Sequence, residues 1–399
     1  MTTNNPAIIG SEYEVRVEKL VYGGQGLARL ATQVIFIPAS VPGDLLRVRI
    51  SAIEKGFLRG EIVEILTSSS ARRIPPCKFF GVCGGCQLQH LNYPAQLAAK
   101  AEFIRDSLVR LGHIEWSLPI EIKHGPEFGY RARAQFKIGR GTKPLQIGFY
   151  QATSHQVCDI DHCPILVPEL NDALTRLHSA ADEIAEAALP YSKIEVAAGI
   201  GTTAAHPPAA KLSTQSVFQQ AFGIDYYFDP ECFFQVNRFL LETLIETVIG
   251  VHNGQLAVDL YAGVGLFALQ LARRYEKVVA VEVNPRAATW IAHNISVNQV
   301  TNIEFNAISA ERWLAKQAIR IGAIDLVVLD PPRAGVSQAA LKRLIDLHPA
   351  EIVYVSCDPT TLARDLRVLL NAGFHLQSIT GVDLFPQSYH IETVAALTR

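Results

Sequence analysis

The sequence predicts an α/β protein whose C-terminal part is a Rossmann-like doubly wound domain, preceded by a small closed β-barrel and a strand-rich α+β middle region. Three observations carry this. From residue 238 onward, near-continuous Val/Ile/Leu strands (LAVDLYAG, KVVAVEV, AIDLVVLDPP, EIVYVSCDP) alternate with amphipathic helical stretches, the pattern of a parallel sheet covered on both faces. Residues 11–66 hold about five short alternating strands with the turns YGGQG and VPGD, which suits an oligonucleotide-binding barrel. Between these regions the pattern is mixed but strand-rich, as in YRARAQFKI, PLQIGFY and SKIEVAAGI. The expected domains are 1–68, 72–237 and 238–399.

Taken in order, the barrel strands are followed by the polar linker TSSSARRIPP and the cysteine-rich segment CKFFGVCGGCQLQH. A helix is expected over 94–111, opened by Pro94, ended by Gly112 and packed on the C-terminal domain. No apolar run approaches the ~20 residues that cross a bilayer, and the N-terminus lacks a basic stretch before an apolar core. A cytoplasmic monomer is therefore expected. The net charge of −2 over 399 residues means that any nucleic-acid surface must be a local patch. The seven cysteines, an odd number in a chain without an export signal, argue for metal binding or catalysis rather than a disulfide framework.

In doubly wound sheets, ligands sit at the carboxyl ends of the strands. The first C-terminal strand runs into DLYAGVG, Asp259 to Gly265, where Gly263 and Gly265 allow a tight turn and close approach to a ligand. The next strand ends at Glu282, placed to accept hydrogen bonds from ribose hydroxyls. The third glycine of the dinucleotide fingerprint is missing. The acidic Asp259 instead suits a ligand that carries a sulfonium and an amino-acid tail, S-adenosylmethionine. Three later strand ends carry Asp330 in LDPPRAG, Cys357 in SCDP, and His390 with Glu392 in FPQSYHIET. A cysteine beyond an apolar strand, beside polar residues and on the ligand edge, is a candidate nucleophile.

These segments resemble the RNA uracil-5-methyltransferases over essentially the whole chain: DLYAGVG, FFQVN, DPPRAG, SCDP and FPQSYHIE stand in the family's order. The resemblance implies an S-adenosylmethionine-dependent methyl transfer to carbon 5 of a uridine, with Cys357 as nucleophile and Glu392 as base. It implies cofactor and uracil contacts from Gln235, Tyr261, Glu282, Asp330 and the loop residues Asp259, Gly263 and Gly265. His390 is expected to support its loop. Leu266, Ala262 and the segment Tyr130-Arg131-Ala132-Arg133 depart from the family's commoner residues.

The spacing Cys77-x5-Cys83-x2-Cys86 suits a metal, and by spacing alone zinc held by four cysteines leads. The resemblance implies instead a [4Fe–4S] cluster on Cys77, Cys83, Cys86 and Cys163. The barrel resembles a TRAM domain (EKLVYGGQGLARL, IPASVPGD, RGEIVEIL), which implies RNA binding, and Lys19, Arg29, Arg47, Arg49, Lys55 and Arg59 are candidate phosphate contacts. Large-subunit (23S) ribosomal RNA is favoured as substrate, with transfer RNA as the alternative. Protein purified without air is expected to be brown and to contain iron and sulfide; a colourless protein with stoichiometric zinc would select the reading from spacing.

Overall fold

The structure is a computed structural model that describes residues 8–139, 145–186, 192–316 and 322–399. The chain forms two compact units. The first comprises 1–103, 150–155 and 385–390, and the second 104–149, 156–384 and 391–399. The middle region expected from sequence is thus divided between them.

In the first unit, β1 (Glu12–Leu20), β2 (Gly26–Leu30), β3 (Gln33–Ile37), β4 (Leu45–Glu54) and β5 (Phe57–Thr67) close a barrel in the order β1-β2-β3-β5-β4. Every second residue points inward, so Val15, Val17, Ala28, Ile35, Ile37, Leu46, Val48, Ile50 and Leu58 form its core. Two features lock the VPGD corner. Asp44 is fully buried, accepts from the N–H groups of Val41 (2.8 Å) and Ser69 (2.9 Å), and pairs with Arg72 at 2.6 Å. A Cβ on Gly26 would lie 1.9 Å from Ser40 Oγ, so a side chain there would displace Ser40 from its bond to the carbonyl of Ile37. A second small core of Leu20, Val41, Leu88, Leu91 and Phe103 binds the barrel to the start of α1 (Tyr93–Ser107).

The segment 385–390, remote in sequence, belongs to this unit. Gln387, at φ 70°, has its N–H on Gln96 Oε1 (3.0 Å), and its carbonyl accepts from Gln87 (3.0 Å) and Leu88 (2.8 Å). Its side-chain oxygen accepts from Arg73 and Gln96, each at 3.0 Å. Lys100, fully buried on α1, donates to the carbonyl of Phe385.

The second unit begins with β6 (Glu121–Lys123), followed by β7 (Arg133–Gly139), β8 (Gln146–Tyr150), β9 (Val157–Asp159), α2 (Pro168–Ser179), α3 (Ala181–Glu186), β10 (Lys193–Ala198) and β11 (Thr203–His206). Strands 7 to 11 make a five-stranded sheet in the order β11-β10-β7-β8-β9, and β12 (Val217–Ala221) pairs with β13 (Ile224–Phe228) as a hairpin. The doubly wound part then alternates α4 (Leu241–Ile249), β14 (Gly254–Leu260), α5 (Ala268–Leu271), β15 (Tyr275–Val281), α6 (Pro285–Val297), β16 (Ile303–Asn306), α7 (Ala310–Lys316), β17 (Leu326–Leu329), α8 (Gln338–Asp346), β18 (Glu351–Ser356) and α9 (Pro359–Asn371). It ends with β19 (His375–Val382) and β20 (Glu392–Thr398). The sheet order is β16-β15-β14-β17-β18-β20-β19-β6, with β20 antiparallel to both neighbours and the remaining pairs parallel. The central strands β14, β17 and β18 are buried almost throughout, which is why they read as continuous apolar runs.

The helix expected over 94–111 is α1 plus one wider turn, Leu108–Gly112, and it is His113, not Gly112, that takes the left-handed cap (φ 54°). Gly112 is needed for packing instead: a Cβ there would lie 3.0 Å from the carbonyl of Ala363 on α9. Among the described residues no helix is long and apolar enough to cross a membrane. Asp44→Ala is expected to lower stability by about 3 kcal/mol, because it strands Arg72 and two buried N–H groups; urea denaturation measures it, and a change below about 1 kcal/mol would refute this role of the corner.

Candidate active site

The nucleophile candidate stands at a turn whose neighbours are occupied with structure. Ser356 Oγ donates to the carbonyl of Asp358 (3.0 Å) and accepts from its N–H (3.2 Å). Asp358 is the N-cap of α9, with Oδ1 accepting from Thr360 N at 2.8 Å and Thr361 N at 3.4 Å, and Pro359 opens the helix. Three of the four residues in SCDP therefore build the turn, and Cys357 is left half-buried at the positive end of a helix of 13 residues.

The pairing register brings the base candidate opposite it. β18 and β20 pair antiparallel from Glu351↔Thr398 to Ser356↔Thr393, so the next step of the ladder faces Cys357 with Glu392. Glu392 is 3% exposed. Asp330 follows β17, the other neighbour of β18, and both carboxylates act electrostatically on Cys357. Arg333, exposed two residues after Pro331, hydrogen-bonds to the thiol and opposes them.

The electrostatics of this group follow from burial. Burial, then Glu392, pushes the Cys357 thiol up to about 11, while Arg333 pulls it down and Asp330 adds to the rise. Burial also lifts Asp330 to about 7. Glu392 rises well above the ordinary carboxyl range, through burial and then the charge of Asp330, against the pull of Arg333. The resting site thus holds a protonated thiol at neutral pH, with two carboxyl groups of raised pKa and a cation beside it. Arg333 was not singled out from sequence, although it stands inside the quoted motif DPPRAG; nothing in the spacing says that its side chain turns back to the thiol.

The loop 330–336 is held from α9. Gly335, at φ 74°, closes a turn onto the carbonyl of Pro332 (2.8 Å). Fully buried Asp365 accepts from Val336 N (2.9 Å) and from the Tyr354 hydroxyl (2.7 Å), and Arg364 donates to the carbonyl of Ala334. Asp365 is a further structural residue that sequence reading missed, because its partners lie on another strand and another loop.

The cofactor candidates gather at the ends of β14 and β15. Tyr261 (φ 68°), Gly263 (φ 56°) and Gly265 (φ 95°) all take the left-handed backbone of the turn. A Cβ on Gly265 would press on Ile291 of α6 at 3.0 Å, whereas one on Gly263 would meet nothing within 4 Å, so open space lies over that residue. Glu282 accepts from Gly263 N (2.8 Å) and Asn284 N (2.6 Å). Asp259 is fully buried; Oδ2 accepts from Ala268 N at 2.9 Å, and Oδ1 has no partner among the described residues. Burial, then Asp330, raises its pKa well above the ordinary range. Tyr261 is partly buried, and burial, then Glu311 and Asp365, raise its phenol as well.

Gln235 is 6% exposed, and among the described residues its amide bonds to nothing in the chain. Asn237 in the same segment caps the following turn at Phe239 N (3.1 Å) and donates to the carbonyl of Leu384. The departures from the commoner family residues are structural: Arg133 is buried and holds the carbonyls of Pro230 (2.8 Å) and Phe234 (3.2 Å), and the carbonyl of Leu266 accepts from Tyr226. An uncommitted buried amide, an orphaned carboxyl oxygen and open space above a glycine fit a polar ligand such as S-adenosylmethionine.

The cysteine segment does not reach the same standard. Cys77, Cys83 and Cys86 are partly buried in the first unit, and Cys163 is buried in the second. Among the described residues no three His, Cys, Asp or Glu side chains converge to hold a metal ion. The [4Fe–4S] cluster therefore stays an expectation of the resemblance, and no chemistry below depends on it. On the barrel, four of the six candidate phosphate contacts are engaged with glutamates: Arg29 with Glu18, Arg47 with Glu14 and Glu64, Arg49 with Glu12, and Arg59 with Glu54. His390 faces Phe385 and Tyr389 in the first unit, in keeping with support of its loop.

The pattern of the family tRNA (Uracil-5-)-methyltransferase matches residues 214–399, and that of the TRAM domain matches residues 6–63. A 23S rRNA (uracil(1939)-C(5))-methyltransferase of Vibrio parahaemolyticus is 31% identical over 421 residues, covering 96% of this chain and 95% of the relative. An RNA methyltransferase of Aquifex aeolicus is 32% identical over 423 residues, covering 96% and 98%. The crystal structure of the Pyrococcus abyssi tRNA (uracil-54, C5)-methyltransferase in complex with S-adenosyl-L-homocysteine superposes with a TM-score of 0.75 at 26% identity, covering 97% of this chain and all of that one.

With a thiol pushed up to about 11, alkylation of Cys357 by iodoacetamide is expected to climb about tenfold per pH unit from about pH 7 to pH 10. Peptide mapping by mass spectrometry isolates this site from the other cysteines, and a plateau below about pH 8 would contradict it.

Proposed function

The chain belongs to the family of S-adenosylmethionine-dependent RNA uracil-5-methyltransferases, and from that premise we propose that it methylates carbon 5 of one uridine in large-subunit ribosomal RNA through a covalent bond from Cys357 to carbon 6. The single observation that supports the chemistry most strongly is the continuation of the β18–β20 ladder, which faces the thiol with Glu392. The ribosomal substrate is supported by the relative named for 23S rRNA, which matches along its whole length at higher identity than the tRNA enzyme of known structure. The TRAM barrel supports an RNA substrate of either kind.

Carbon 5 of uracil is a weak nucleophile. Cys357 first gives its thiol proton to solvent; its thiolate then adds to carbon 6, electron density moves onto carbon 5 and the 4-oxygen, and Arg333, beside the sulfur, stabilises the negative charge. S-adenosylmethionine supplies an electrophilic methyl group on its sulfonium. Glu392 then takes the carbon 5 proton, and the carbon 6–sulfur bond breaks to return the thiolate of Cys357. Gln235, with its uncommitted amide, and Asp330 orient the uracil. Glu282 accepts the ribose hydroxyls, and Tyr261 and the Gly263–Gly265 turn border the cofactor.

Carbon 6 and carbon 5 of the target must leave the base stack to reach a thiol that stands beyond a sheet edge, so an unpaired uridine is the substrate.

Tritiated S-adenosylmethionine with total RNA from a strain lacking the gene is expected to label one uridine of 23S rRNA; label confined to transfer RNA would overturn the substrate, and no label in RNA would overturn the activity. Cys357→Ala abolishes turnover. Arg333→Met is expected to lower kcat about 10²-fold and to raise the apparent pKa of Cys357 alkylation; unchanged values in both would remove Arg333 from the reaction.

A further inference from the structure

Helix α6 starts just after Glu282 and presents Trp290, Asn294 and its C-cap Asn298 on one face, at four-residue intervals. These meet β13 and its extension at two-residue intervals, in the opposite direction. Asn298 accepts from Asp225 N (3.0 Å) and donates to Asp225 O (2.8 Å). Asn294, fully buried, accepts from Tyr227 N (2.8 Å) and donates to Tyr227 O (3.1 Å). Trp290 donates to Asp229 Oδ2 at 2.8 Å, and Arg286 reaches the same oxygen at 3.1 Å. The periods match: four helical residues rise about 6 Å and two strand residues advance about 6.6 Å. Each asparagine amide thus replaces one residue of a neighbouring strand along the open edge of the hairpin.

The middle of this seam and its Trp290–Asp229 end lead to the site. Asn294 also donates to the carbonyl of Val264, in the glycine loop, at 3.0 Å, and Tyr226 of the same strand donates to the carbonyl of Leu266. Asp229 opens the segment that leads to Gln235, and Arg133 grips that segment on Pro230 and Phe234. Arg286 extends the grip by pairing with Glu231 at 2.8 Å.

We propose that α6 is a positioning ruler, in which Trp290, Asn294 and Asp229 fix the Gln235 segment at a set distance from the glycine loop and Glu282. The proposal rests on the reading of Gln235 as a residue that orients the uracil. A base held an ångström out of place loses about 10²-fold in rate, so the seam tunes the methyl-transfer step while leaving cofactor binding in place.

Trp290→Phe removes one donor and keeps a ring in the seam. It is expected to lower kcat about tenfold with KM for S-adenosylmethionine changed less than about twofold, and Asp229→Asn is expected to follow it. Gln235→Ala lowers kcat by itself, and adding Trp290→Phe to it is expected to cost nothing more. Equal and additive losses in the two backgrounds, or a loss that appears only in KM, would overturn the ruler while leaving Gln235 in its role. Full activity of Gln235→Ala would overturn the reading beneath it and the ruler together. Melting temperatures of all variants are taken first, and if Trp290→Phe does not fold, the Asp229→Asn and Gln235→Ala pair decides by the same criterion.

Discussion

The site depends on one constraint: β20 enters the sheet antiparallel between β18 and β19, in a register whose last pair with β18, Ser356↔Thr393, leaves Cys357 and Glu392 at adjoining positions. The ladder brings thiol and carboxyl to the same strand end, and the turn that caps α9 carries the thiol. A slip of one residue would turn Glu392 to the opposite face and place Ile391 or Thr393 there. Val394, Ala395, Ala396 and Leu397 pack on both faces of the covered sheet, so the register is held by the pairing of β20 with β18 and β19 rather than by an alternating pattern.

The rest of the site uses the same economy. In SCDP, DPPRAG and DLYAGVG a few residues carry reactive groups, and their neighbours cap a helix, close a turn or take a left-handed conformation. Asp365 and Asp259, both fully buried, act as hubs that tie these loops to the helices behind them. Asp44 and Gln387 do the same work in the first unit.

What was legible in the sequence follows this division. The barrel, the parallel strands and the motif residues are local signals: alternation, apolar runs, glycines and prolines at turns. Asp330 and Cys357 do follow strands, whereas Glu392 opens the antiparallel β20 rather than ending a strand, and all three act on one another electrostatically. Long-range pairing was not legible. Arg333 looks like any exposed arginine until β17 and β18 are set side by side, and Asn294 and Asn298 look like ordinary polar positions of a helix. The glutamate partners of the barrel arginines were equally illegible, since Arg47 and Arg49 face Glu14, Glu64 and Glu12 across the ladder.

Nucleophile and base act in sequence on one uracil, so a variant that completes addition and methylation but cannot remove the proton must stall on the enzyme. Mass spectrometry of Glu392→Gln incubated with S-adenosylmethionine and its RNA, digested with protease and nuclease, is the most direct measurement. The account predicts a Cys357 peptide carrying a methylated uridine. Release of free methylated RNA at the wild-type rate, or an adduct on any other cysteine, would contradict it.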